Sequence, residues 1–282
     1  MSVLSKLKTM SVSFTSNEKL ISDFIIKNSK KVKDMSSQKL AQQVGVSQSS
    51  IVKFTQKLGY KGYPALKMAL VETVSTVKEE TNLHGDISLK DDLEQLAKKL
   101  LASKIGVLTE TLQINDKEHF ESAVDAILKA KRILLSGIGA SGLVAKDFSY
   151  KLQKIGLAAV SEASGHSQLA YAATFGPDDL VIAISESGNT ADVVEVAGLA
   201  KKLGANVLTI TGVSKNKLRK FSDIDLCTVA ESSEMRLSSI LARTSQELII
   251  DTLFIAMTQK SVKFRKQVAK SNEAVTEYVS KH

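Results

Sequence analysis

Between residues 132 and 260, short β-branched or apolar runs alternate with helical stretches, and two of the strand-to-helix junctions are rich in glycine and hydroxyl groups. The runs are 132–136, 158–161, 180–185, 207–211 and 226–229. The helical stretches fall near 141–155, 166–174, 190–202, 215–220 and 238–260. Such alternation predicts a parallel sheet covered by helices on both faces. The first junction reads Gly137-Ile138-Gly139-Ala140-Ser141-Gly142, and the second reads Ser185-Glu186-Ser187-Gly188-Asn189-Thr190. Both sit at carboxyl ends of parallel strands, where open α/β sheets bind ligands. Each opens a helix, whose free N–H groups and partial positive charge suit an anion.

Two ligand classes fit the first loop. It matches Gly-x-Gly-x-x-Gly, the dinucleotide pattern, with Glu162 placed twenty residues beyond Gly142 where a ribose-binding acid would stand. The second loop argues for a phosphate monoester, because a dinucleotide site does not require its hydroxyls. A plainer reading makes the serines ordinary helix caps. One such loop would fit that reading; two neighbouring loops favour phosphate.

The first 75 residues are of another kind and predict an all-helical domain. Thr15 to Glu18 forms a capping-box pattern ahead of Leu20, Ile21, Phe24 and Ile25. Ser36 starts a second helix carrying Leu40, Ala41 and Val44, and Gly45 breaks it. Ser47 starts a third with Ile51, Phe54 and Leu58 on one face, and Gly59 ends it. Pro64 suits the first turn of a fourth. Ala41, Gly45 and Ile51 together meet the needs of a helix-turn-helix: a small crossing residue, a left-handed turn and a shared core side chain. A helical hairpin used for protein contact is the plainer alternative.

Charge bears on that choice. The net charge is +8, and residues 1–80 hold 13 lysines, no arginine and six acidic residues, so nearly all of the excess lies there. Such asymmetry points to a polyanion partner for that segment, with a solvated lysine surface as the plainer reading. Ser47, Gln48, Ser49 and Ser50 would open the recognition helix toward base edges, with glutamine suited to adenine. Lys53, Lys57 and Lys61 would meet phosphates, and Tyr63 would reach the DNA backbone.

The domain boundaries expected are 1–76 for the helix-turn-helix domain, 77–115 for a linker and connecting helix, and 116–282 for the α/β domain. Residues 77–88 lose periodicity and read as linker. The lone Cys227 precludes an internal disulfide and, with no basic-apolar leader or twenty-residue apolar run, predicts a cytoplasmic chain with no membrane contact. The scattered His84, His119 and His282 suggest no metal site.

The second loop resembles the Ser-x-Ser-Gly-x-Thr phosphate loop of sugar isomerase (SIS) domains, and Ser47 to Phe54 resembles the N-terminal domain of RpiR-type bacterial transcriptional regulators. The order of parts is the same, and the resemblance covers nearly the whole chain. It is similar in particular to regulators of N-acetylmuramic acid and N-acetylmannosamine catabolism. The resemblance implies an α/β fold: an all-helical domain followed by a doubly wound, five-stranded parallel-sheet SIS domain. It also implies an amino-sugar 6-phosphate effector, operator DNA as partner, and a homodimer or tetramer through the SIS domain. Carried over by position, Ser141, Ser185, Ser187 and Thr190 would contact phosphate, while Gly139, Ala140 and Gly188 would admit it to the backbone. Glu186 lies in the same loop, and His166, Arg243 and Glu231 would approach the sugar. SIS domains also occur in isomerases and etherases, for which Glu231, Glu234, Glu162 or His166 would have to supply a base. The fused DNA-binding domain favours a sensor, with no catalytic residue, cofactor or metal expected.

Overall fold

The computed structural model describes residues 3–10, 14–75, 82–230 and 237–281. The chain divides into two compact units, 1–82 and 83–282.

The first unit is helical: α1 (Val3–Met10), α2 (Ser16–Lys27), α3 (Ser29–Val32), α4 (Ser37–Val44), α5 (Gln48–Lys57) and α6 (Tyr63–Ser75). Local chemistry sets the boundaries. The Thr15 hydroxyl accepts from Glu18 N–H while the Glu18 carboxylate accepts from Thr15 N–H, closing the capping box. Ser36 and Ser47 cap α4 and α5 by accepting from Lys39 N–H and Ser50 N–H. Gly45 turns the chain between those helices at φ 77°, ψ 33°, a conformation costly for a residue with a Cβ. Ala41 and Ile51 are buried where the two helices meet, within a core that includes Ile21, Ile25, Leu40, Phe54, Leu66 and Leu70. Phe14 packs edge-on against Phe54, ring centroids 5.2 Å apart. α1 and α3 were not anticipated; Val3 and Leu7 of α1 complete this core.

The second unit begins where a linker was expected. Residues 82–88 form a two-stranded ribbon, β1 (Asn82–His84) and β2 (Ile87–Ser88), turning at Gly85 with φ 55°. Asp92 and Gln95 make a second capping box for α7 (Leu93–Ile114). Asp116 caps a separate helix, α8 (Lys117–Lys129). Then follow β3 (Ile133–Ser136), α9 (Ala140–Lys154), β4 (Ala159–Val160), α10 (Gly165–Ala172), β5 (Leu180–Ser185), α11 (Ala191–Lys202) and β6 (Asn206–Gly212). A 3₁₀ turn (Leu218–Lys220), β7 (Ile224–Thr228), α12 (Ile240–Lys260) and α13 (Val262–Lys281) complete the unit. The last helix was not anticipated. None of its residues is fully buried, and Phe264 and Val268, half-buried, pack it against the core.

Strands β3 to β7 form one parallel sheet in the order β4-β3-β5-β6-β7. Alternate side chains serve its two faces. Leu135, Ile182, Ile184, Leu208 and Ile210 pack with α8, α9 and α12. Leu134, Val181, Ala183 and Val207 pack with α10 and α11. Both faces are dry, which is why the strands read as continuous apolar runs. Each fully buried side chain such as Ile182 stabilises the sheet by about 1.5–3 kcal/mol. β7 has sheet neighbours on one side only. The Asn115 amide bonds both Cys227 N–H and Cys227 C=O at 2.7 Å, supplying strand-like bonds to it.

Candidate functional site

The chain runs from β3 outward to β4, then returns past β3 to β5, β6 and β7. The switch in direction falls between β3 and β5, and the two unusual loops leave the carboxyl ends of those adjacent strands. α9 covers one face of the sheet and α11 the other. A crevice between two such strands is where doubly wound sheets take ligands.

The first loop is tight because glycines let the backbone close on itself. A Cβ at Gly137 would lie 2.8 Å from the Ser141 carbonyl oxygen. Gly139 holds φ 61°, ψ −129° with open space around it, and it caps α9 with no side chain. The N–H groups at the start of α9, beginning with Ala140, therefore have no side-chain cap. The buried Gln168 amide steadies the loop: its NH2 donates to Gly137 C=O (3.1 Å) and Glu162 C=O (2.7 Å), and its carbonyl accepts from the Ser136 hydroxyl (2.6 Å). Gln168 escaped the sequence reading, in which it was one polar residue of a short helix.

In the second loop the buried Ser185 hydroxyl accepts from Gly188 N–H (3.2 Å) and lies 2.9 Å from the Thr190 hydroxyl. That pairing takes up Thr190, so α11 also starts without a side-chain cap. Ser187 is exposed and accepts from Asn189 N–H (3.2 Å). Gly188, at φ 61°, leaves room for Asn216, whose Cγ would be 2.1 Å from a Cβ placed there. Glu186 turns elsewhere: its carboxylate accepts from Thr228 at the end of β7 (2.8 Å), and Gly212 leaves space for it. It braces the loop, and its negative charge would oppose a phosphate.

His166 is exposed at the start of α10. A Cβ at Gly165 would lie 2.5 Å from the Asp192 carboxylate, so the starts of α10 and α11 are neighbours and His166 stands beside the second loop. Arg243, in the first turn of α12, is half exposed, with Nε 3.4 Å from Glu247 of the same helix. Glu231 and Glu234 lie outside the described residues. Gln246, nearly two turns into α12, was not foreseen; its NH2 donates to the Ser141 hydroxyl at 3.2 Å. Cys227 is partly buried, and burial pushes its thiol up from the usual value. Among the described residues there is no group of three or more metal-ligating side chains, and no helix long and apolar enough to cross a membrane.

In the helical unit, Ser47, Gln48, Ser49 and Lys53 are exposed at the start of α5, and Ser50 is partly so. Ser47 lies within 2.9 Å of the Ser49 and Ser50 hydroxyls, and Gln48 donates to Ser37 at 2.9 Å. Lys61 is exposed. Lys57 is bonded to the Glu18 carboxylate at 2.8 Å, which holds that carboxyl below its usual range and offsets the lysine's charge. Tyr63 corrects the expectation of a DNA contact. It is buried, and its hydroxyl is directed to Val32 C=O (3.3 Å) and Met35 C=O (3.2 Å), so it ties α6 to the α3–α4 turn. Burial raises its pKa.

Residues 1–77 match the family described as helix-turn-helix domain, rpiR family, and residues 126–256 match the SIS domain. The chain is an rpiR-family helix-turn-helix domain followed by a SIS domain. Among solved structures, the NanR protein of Vibrio vulnificus complexed with ManNAc-6P matches at a TM-score of 0.64 and 23% identity, over 98% of each chain. The sugar isomerase domain of an RpiR transcription factor from Sphaerobacter thermophilus matches at 0.59 and 22%, over 64% of this chain and 99% of that one. A phosphoheptose isomerase from Francisella tularensis matches at 0.50 and 21%, over 60% and 100%. At these identities the likenesses establish the fold. In the SIS domain the two loops are the strand-to-helix turns on either side of the sheet's switch point.

Proposed function

We propose that this chain is a DNA-binding transcriptional regulator, a repressor of an amino-sugar catabolic operon, whose SIS domain binds an N-acetylated hexosamine 6-phosphate. The observation that carries this reading is the pair of helix starts without side-chain caps at adjacent strand ends, ringed by Ser141, Ser185, Ser187 and Thr190, in the same chain as a helix-turn-helix. The phosphate is held by the second loop and the start of α11; Gly139 and Ala140 admit the ligand to the backbone at α9. His166 and Arg243 meet the sugar, and Glu186 holds the loop from behind. The NanR relative complexed with ManNAc-6P supports N-acetylmannosamine 6-phosphate as the first effector to try, with N-acetylmuramic acid 6-phosphate next.

On DNA, Ser47, Gln48, Ser49 and Ser50 face base edges, while Lys53 and Lys61 take phosphates, with Lys57 contributing less. A homodimer or tetramer formed through the SIS domain, acting in the cytoplasm, would set two recognition helices on a palindromic operator. The effector must favour one conformation of the protein to change that binding. A thermal-shift panel of N-acetylmannosamine 6-phosphate, N-acetylmuramic acid 6-phosphate, glucosamine 6-phosphate, free N-acetylmannosamine and NAD tests the reading. Ligand at 100 times its Kd stabilises by about 2.7 kcal/mol. A shift with one phosphosugar and none with its free sugar is expected. A shift with NAD alone would restore the dinucleotide reading of residues 137–142, and steady consumption of a pure phosphosugar would make the domain an isomerase or etherase.

A further inference from the structure

Gln246 lies within α12, against the start of α9, and is 1% exposed. Its NH2 donates to Ser141 at the start of α9. Its carbonyl oxygen is buried and has no partner among the described residues. A buried amide left half-bonded is destabilising, so its oxygen calls for a partner, an ordered water or a group that arrives with a ligand. Leucine or methionine of similar volume would pack in its place without that cost.

The geometry points to Gln246 as the group that reads the sugar: its carbonyl accepts from a ligand hydroxyl or acetamido N–H, while its NH2 fixes Ser141. This rests on the cleft being a sugar-phosphate site and adds to it the ligand's orientation. A carbonyl oxygen can only accept. A phosphate dianion has no hydrogen to offer it, whereas a sugar ring has several. The phosphate therefore belongs with the hydroxyls of Ser185, Ser187 and Thr190, and the hydrogen-donating edge of the sugar faces α12. Because the Ser141 oxygen already accepts from Gln246, the Ser141 hydroxyl hydrogen is left to donate into the cleft. One amide thereby sets two contacts of opposite polarity.

Gln246→Leu and Gln246→Met test this in the full chain. The probe is the phosphosugar that shifts the wild-type melting midpoint in the panel above, with affinity measured by titration calorimetry. Both variants are expected to bind it about 10- to 100-fold more weakly, as a ligand donor is left buried and unpaired. Their ligand-free melting midpoints are expected to equal or exceed that of the wild type, since the half-bonded amide is gone. Affinity within twofold of wild type overturns the inference, and so does a lower midpoint in both variants, which would assign the amide to the fold. The Ser185→Ala/Ser187→Ala protein separates the two levels. If it binds as the wild type does, the sugar-phosphate reading itself fails; if it does not bind while Gln246→Leu does, only the role of Gln246 fails.

Discussion

Replacing Gly188 with alanine tests whether the second loop is shaped by close contact as well as by backbone conformation. Two costs are expected. A residue with a Cβ at φ 61° carries about 1–2 kcal/mol of left-handed strain. The new methyl would also stand 2.1 Å from Asn216 Cγ and 2.6 Å from its Cβ, so Asn216 must move. That side chain donates to the Thr211 hydroxyl (3.2 Å) and Ser214 C=O (3.0 Å) and accepts from Arg219 N–H (3.1 Å). At about 1 kcal/mol each, losing these bonds adds about 3 kcal/mol, for a total of about 4–5 kcal/mol. Gly139→Ala has a positive φ but open space, so it is expected to cost only about 1–3 kcal/mol. Amide hydrogen exchange on peptides from β5 and β6 reads the local free energy. In an Asn216→Gly background, Gly188→Ala should then cost only its strain, about 1–2 kcal/mol. Equal losses for the two glycine variants, or no dependence on Asn216, would refute the contact reasoning.

Three further outcomes follow from particular side chains. The Arg132 guanidinium, bonding the nearly buried Asp179 at 2.6 and 3.0 Å, holds its carboxyl below the usual range. A depressed folded-state pKa contributes stability that is present above the unfolded value, about 3.9, and is lost as pH falls through the folded value. The melting-midpoint gap between wild type and Asp179→Asn is thus expected to be largest near pH 7 and to close toward pH 3; a constant gap would contradict the assignment. Lys53→Ala and Lys61→Ala are each expected to reduce the salt-dependence slope of DNA binding by about 1, with a smaller change for Lys57→Ala because Glu18 already pairs it; equal slopes for all three would remove the distinction. Tyr63→Phe is expected to cost about 1 kcal/mol of stability, read by urea unfolding of the helical unit, and to leave DNA affinity unchanged; weakened DNA binding at full stability would return Tyr63 to the interface.

What was legible in the sequence was mostly local. Ser36, Ser47 and the Thr15–Glu18 box act within three residues of themselves, and Gly45 and Gly59 adopt positive φ where helices end, so their chemistry is visible in a short window. The strands were legible because both faces of the sheet are buried. The fifth was shifted: Asp225, bonded to Thr209 in the neighbouring strand, reads as a loop residue, yet β7 begins at Ile224. Surface helices escaped notice where, as in α13, no side chain is fully buried and the apolar contact is slight, made by the half-buried Phe264 and Val268. The site residues that were missed act over distance. Gln246 meets Ser141 105 positions away and Gln168 reaches Gly137 from 31 away, and a polar residue on a helix carries no local sign of such a partner. Tyr63 erred in the other direction, because a tyrosine beside lysines suggests an interface until its hydroxyl is seen to be occupied within the core.

The central claim joins DNA recognition to phosphosugar binding in one chain. Fluorescence anisotropy of the full-length protein on a duplex selected from a random-sequence pool, with and without saturating N-acetylmannosamine 6-phosphate or N-acetylmuramic acid 6-phosphate, tests it most directly. The expected result is sequence-selective binding that one phosphosugar weakens at least tenfold, that its free sugar leaves alone, and that loses its ligand response in Ser185→Ala/Ser187→Ala. Binding without sequence preference, or selective binding indifferent to every phosphosugar, would contradict it.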